Sequence, residues 1–88
     1  MNWEIRYRSS VEKDVDRLPA DVRSVVLRTL AGLASDPFPQ GTRKLSGTGS
    51  RFRLRVAGSY RIVYKSFKDE RLIEIEFVGH RKDAYRWF

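Results

Sequence analysis

From Phe52 to Val78 the chain alternates apolar and polar residues in three runs separated by two short turn signals, the pattern of strands with one buried face. The first run is Phe52-Arg53-Leu54-Arg55-Val56, and Ala57-Gly58-Ser59 turns it back. Residues 60–67 resume the pattern, Lys68-Asp69-Glu70-Arg71 makes the next turn, and Leu72-Ile73-Glu74-Ile75-Glu76-Phe77-Val78 supplies the last run before Gly79. Three linked strands of this kind need a second layer to cover their apolar face.

The first half of the chain supplies that layer. Trp3-Glu4-Ile5-Arg6-Tyr7-Arg8 alternates and predicts a strand. Ser9-Ser10-Val11-Glu12 has the spacing of a capping box with Ser9 as N-cap, and Val11, Val15 and Leu18 follow at helical intervals. Pro19 suits the first turn of a second helix, whose Val22, Val25, Val26, Leu30 and Leu33 form one stripe until Pro37 stops it. The tight Leu18-Pro19 junction predicts an antiparallel helical hairpin. Residues 36–50, rich in Gly, Pro and Ser, read as loop. The expected order is β-α-α-β-β-β, an α+β fold with a helical hairpin packed on one face of a mostly antiparallel four-stranded sheet, forming a single domain over residues 1–88.

Composition narrows the chemistry. The chain has no cysteine and one histidine, His80, so thiol catalysis, multi-ligand zinc sites and histidine relays are disfavoured, and a reducing compartment fits. No apolar run approaches the ~20 residues of a membrane span, and Met1-Asn2-Trp3-Glu4 lacks signal-peptide character, so a cytoplasmic protein without membrane contact is expected.

Charge narrows it further. Eighteen Lys and Arg against eleven Asp and Glu give +7, and thirteen of the bases are arginine, whose planar fork matches phosphate oxygens. No acidic residue lies between Asp36 and Asp69, a window that holds Arg43, Lys44, Arg51, Arg53, Arg55, Arg61, Lys65 and Lys68. Arg51, Arg53 and Arg55 share one strand face while Phe52, Leu54 and Val56 share the other. Like charges at alternate positions repel unless an anion neutralises them, so the ridge points to a polyanion, RNA above all. Whether Arg61 joins that ridge depends on a register that the sequence does not define.

Directly after the last strand comes Val78-Gly79-His80-Arg81-Lys82-Asp83-Ala84-Tyr85. A lone histidine there can serve as general acid or base, but a loop residue bonded to backbone is the preferred reading of His80. Tyr85, followed by Trp87 and Phe88, fits either a base-stacking platform or part of an apolar tail docked on the sheet.

Taken in order, Arg43-Lys44-Leu45-Ser46-Gly47, Phe52-Arg53-Leu54-Arg55-Val56, Tyr60-Arg61-Ile62-Val63-Tyr64 and Val78-Gly79-His80-Arg81 with Tyr85 resemble the RelE/ParE superfamily of toxins, RelE branch. Lys13-Asp14-Val15 to Leu18-Pro19 and the Asp36-Pro37 helix stop resemble that family's helical hairpin, so the likeness covers almost the whole chain. It implies a type II toxin restrained by a RelB-like antitoxin, cleaving messenger RNA in the ribosomal A site through attack of the 2′-hydroxyl on the adjacent phosphate. It also implies no metal and no small-molecule cofactor.

Carried over by position, the catalytic set is Arg53, Arg55, Arg61, Arg81 and Tyr85, with Arg43, Lys44, Arg51, Lys65 and His80 along the RNA. Arg61 and Arg53 take phosphate charge, Arg81 the leaving-group side and Tyr85 a base. Arg55 stands at the general-base position, where the family prototype has lysine and where arginine is a poor proton acceptor. Arg61 and Arg81 are both expected to be surface cations. A ParE-like poison of DNA gyrase and a non-catalytic RNA-binding module are the alternatives. The Arg81 and Tyr85 pairing favours the RelE branch over the gyrase poisons.

Overall fold

The computed structural model describes residues 2–45 and 49–87. Strand β1 (Glu4–Tyr7) leads into helices α1 (Ser10–Asp16) and α2 (Ala20–Gly32), then strands β2 (Thr42–Lys44), β3 (Arg51–Val56), β4 (Tyr60–Phe67) and β5 (Leu72–His80). A short helix α3 (Arg81–Ala84) and a 3₁₀ turn (Tyr85–Trp87) follow. The sheet order is β1-β5-β4-β3-β2, with β1 parallel to β5 and the other pairs antiparallel.

The fold class is the expected α+β, with five strands where four were expected. The added strand β2 lies inside the predicted loop and pairs Thr42 with Leu54 and Lys44 with Phe52. It gives hydrogen-bond partners to the outer edge of β3, backbone groups that would otherwise be left to solvent.

The helical hairpin closes as the Leu18-Pro19 junction predicts, though α1 stops at Asp16. Arg23 donates to the carbonyls of Val15, Asp16 and Leu18 at 3.3, 3.3 and 2.9 Å, bracing the end of α1 and the turn that follows it. The capping box does not form. Ser9 is the N-cap but adopts helical angles and its side chain makes no capping hydrogen bond.

Both helices bury their stripes on one sheet face. Val11, Leu18, Val26, Leu30 and Leu33 meet Leu54, Val56, Ile62, Tyr64, Ile73, Ile75 and Val78. At about 1.5–3 kcal/mol for each fully buried large side chain, this layer dominates the stability of the domain. A second cluster, Leu45, Val63, Phe77 and Ala84 with Trp87 against it, lies on the opposite face. There the α3 segment covers one part of the sheet and leaves the arginine-bearing part open.

A β-bulge separates the two clusters along β5. Val63 pairs with Phe77 and Tyr64 with Ile75, so Glu76 is an extra residue in the ladder. The phase change sends Phe77 to the face opposite Ile73 and Ile75. Gly79 follows on that same face, and a Cβ there would lie 2.6 Å from the Phe77 ring, so the ring's position requires glycine.

Candidate functional site

Strand alternation and register assemble the site. Arg55 is directly opposite Arg61, and Arg43 directly opposite Arg53. Cross-strand partners share a face, so Arg43, Arg53, Arg55 and Arg61 all project from the side of the sheet away from the helical hairpin. The ambiguity over Arg61 is resolved by this pairing.

The turn that joins β3 to β4 fixes the fourth side. Ala57 and Gly58 both have positive φ, 49° and 75°, which folds the chain tightly over three residues. The backbone N–H of Arg81 donates to the Ser59 carbonyl at 2.8 Å, tying the start of α3 to this turn. Arg61 pairs with Gly79 on its other side, so β3, β4 and the end of β5 bring Arg53, Arg55, Arg61 and Arg81 into one neighbourhood.

Arg61 is the centre. It is 8% exposed, and its Nη1 donates to the carbonyls of Gly58 at 3.0 Å and Tyr60 at 2.8 Å. The expectation of a surface cation is therefore corrected. Its location on a sheet face beneath the turn, with backbone acceptors supplied by that turn, makes burial of the guanidinium tolerable. Burial first, and then the nearby charges of Arg53, Arg55 and Arg81, push its pKa below the ordinary arginine value, while Tyr85 acts in the opposite sense. All five residues of the expected catalytic set thus interact electrostatically around Arg61. Arg55, Arg81 and Tyr85 are exposed, Tyr85 to 59%, and Arg53 is half-buried.

The residues expected along the RNA divide. Arg43 lies on the site face opposite Arg53. Lys44 pairs with Phe52 and so projects to the other face, beside Phe38 and Lys68. Arg51 and Lys65 lie on the site face but are engaged by Glu76, whose carboxylate accepts from Arg51 Nε at 2.7 Å and lies 4.0 Å from Lys65 Nζ. The ridge therefore includes a carboxylate that adjacent-sequence reasoning does not provide, because Glu76 reaches it across β4 from β5. His80 ends β5 and caps α3, its Nδ1 accepting the Lys82 backbone N–H at 3.2 Å, the backbone role preferred for it.

Glu76 and Arg8 are the residues that sequence reasoning passed over. Glu76 is 1% exposed and also accepts from Arg8 Nη2 at 2.9 Å. Only an acidic residue inside an otherwise apolar strand run, Ile75-Glu76-Phe77, hinted at it. Ser46 and Gly47 of the resemblance, and Phe88 of the expected apolar tail, lie outside the described residues.

A gathering of guanidiniums around Arg61 favours a ligand that carries negative charge, and the exposed Tyr85 ring at its edge can stack on a planar group. Among the described residues no helix is long and apolar enough to cross a membrane.

Three comparisons bear on the chain. Residues 5–85 match the model of the ParE toxin of type II toxin-antitoxin systems. Toxin RelG of Mycobacterium tuberculosis is 30% identical over 90 residues, spanning 98% of this chain and 99% of that one. A chain of the archaeal RelE-RelB complex from Pyrococcus horikoshii OT3 superposes with a TM-score of 0.79 at 27% identity, covering 92% of this chain and 97% of its own.

Proposed function

The chain belongs to the ParE toxin family of type II toxin-antitoxin systems, and we propose that it acts as a ribosome-dependent endoribonuclease that cleaves messenger RNA in the A site and so stops translation. The observation that carries this reading is the gathering of Arg53, Arg55, Arg81 and Tyr85 around the buried Arg61. In-line attack of a 2′-hydroxyl on its neighbouring phosphate concentrates charge on the phosphorane oxygens, and preorganised cations stabilise that charge without reorganising. The 2′-hydroxyl proton passes to solvent water and the departing 5′-oxygen takes a proton from water, leaving a 2′,3′-cyclic phosphate and a free 5′-hydroxyl.

In this reading Arg61 is the fixed anchor for the scissile phosphate, held by its bonds to Gly58 and Tyr60. Arg53 shares the phosphate charge, and Arg81 stabilises the departing 5′-oxygen from the start of α3. Tyr85 stacks on a base next to the cleaved bond and fixes its orientation. Arg55, exposed and paired across from Arg61, adds charge at the position from which a proton must leave the 2′-hydroxyl. Its high basicity makes it a stabiliser of that oxygen more readily than a proton acceptor. Arg43 extends the cationic track along the RNA.

Its restraint would come from an antitoxin of the RelB kind in the cytoplasm, a pairing that the RelE-RelB complex of Pyrococcus horikoshii supports by analogy. The ParE family match keeps a second reading open to the same test, poisoning of DNA gyrase without RNA cleavage. Induction in cells followed by mapping of messenger RNA ends separates them. Cuts phased to ribosomal A-site codons are expected, whereas intact messenger RNA with broken DNA would establish the gyrase reading.

A further inference from the structure

Glu76 sits among cations that have nothing to do with its own strand's core. Its side chain is fully buried, and it takes Arg51 Nε at 2.7 Å, Arg51 Nη2 at 3.4 Å and Arg8 Nη2 at 2.9 Å. Both of those guanidiniums then lie against the ring of Trp87, with Cζ 5.5 Å from its centroid for Arg8 and 5.3 Å for Arg51. These separations fall within the range of cation–π attraction. Phe77 supports the ring from the sheet at a centroid distance of 6.1 Å. Trp87 Nε1 is buried without a hydrogen-bond partner among the described residues, so contact of the ring itself, and no polar bond, holds the indole here.

Trp87 ends the 3₁₀ turn that carries Tyr85, and Ala84, the last residue of α3 and buried in the same cluster, directly precedes it. We propose that Glu76 is a positioning residue: by holding Arg8 and Arg51 as a two-cation bracket on Trp87, it docks the Tyr85–Trp87 turn so that Tyr85 stands beside Arg61. The inference rests on the reading of the Arg61 cluster as a cleavage site. Without the carboxylate, two guanidiniums placed on one ring repel each other and lose their shared acceptor. The bracket opens, the indole is left with one face unsupported, and Tyr85 loses its fixed direction.

The test uses Trp3→Phe protein, in which Trp87 is the sole tryptophan, and reads acrylamide quenching of its fluorescence together with cleavage on programmed ribosomes. Glu76→Gln keeps the size of the side chain and removes its charge. It is expected to raise the quenching constant several-fold, to speed amide exchange of residues 84–87, and to lower kcat about 10- to 100-fold, the scale of a misplaced substrate-orienting group. Glu74→Gln, one bulge away on the same strand, should change none of these. If Glu76→Gln does not fold, Arg8→Gln, at a half-exposed side chain, gives the same readout. Trp87 remaining shielded in whichever variant folds overturns the proposal, as does an exposed Trp87 with undiminished cleavage. A parent protein that cuts no RNA, yet whose Trp87 is released by Glu76→Gln, removes the cleavage reading and leaves the docking role standing.

Discussion

Arg55 and Arg61 face each other directly across β3 and β4, one exposed and the other buried against the turn that joins their strands. The pair sets a difference between anchoring and mobile charge within one site. The anchoring member cannot be altered without touching the turn.

Arg61→Ala should therefore act on both rate and stability. Removing one well-placed charge at a phosphoryl transition state costs about 10² to 10³ in rate, by analogy with loss of an oxyanion-hole donor. The lost bonds to Gly58 and Tyr60 should lower stability by about 1–2 kcal/mol. Arg81→Ala, at an exposed position, should cost a similar factor in rate but stay within about ±0.5 kcal/mol. Urea titrations beside cleavage assays check this, and full activity in both variants would sink the assigned site.

RNA affinity should fall steeply with salt, because each neutralised phosphate of a single strand releases counterions with a slope of about −0.7 per contact. Arg43→Ala should make the slope shallower by about 0.7, since Arg43 lies on the site face opposite Arg53. Lys44→Ala should leave it unchanged, because Lys44 projects to the other face. Equal effects of the two substitutions would mean that RNA does not follow the arginine face.

Gly79→Ala places a methyl group 2.6 Å from the Phe77 ring. Phe77 must shift, and with it the cluster that seats Trp87. A loss of about 1–3 kcal/mol is expected, the usual cost of overpacking a fitted core, and thermal melts will measure it. An unchanged melting temperature would show that the Phe77 ring is free to move.

Tyr64 is buried and donates to the Pro37 carbonyl at 2.7 Å. Burial is the main cause that raises its pKa above the ordinary value. The native state then binds a proton that the unfolded chain releases from about pH 10 upward. The stabilisation is fully present below pH 10 and is lost as pH rises through the raised native pKa. Wild type should lose stability over that window more steeply than Tyr64→Phe, and parallel pH dependences of the two proteins would refute the assignment.

Much of this architecture was legible because period-two alternation and helical stripes are local signals. Phe52 to Val56 declares its two faces without help from the rest of the chain. Strand β2 was not legible, since three residues among glycine and proline carry no period and gain their structure only by pairing with β3. Glu76 was hidden for a related reason: a bulge alters which face a residue takes, and the cations it serves lie on other elements, Arg8 just beyond β1 and Arg51 on β3. The depth of Arg61 was also out of reach, because a sequence shows its charge and not the carbonyls that fold over it.

The parallel pairing of β1 with β5 has a consequence for how the protein is made. Ile5 finds its ladder partner in Ile73, on the far side of both helices and three strands in the sequence. Contacts of such long range are slow to form, because loop closure must precede any reward. A growing chain can form its helical hairpin early, but β1 has no strand to join until β5 has been synthesised. Arg81 and Tyr85 follow β5 in order, so the arginine cluster is completed last. During its own translation the chain therefore remains an unfinished sheet without its anion-binding corner.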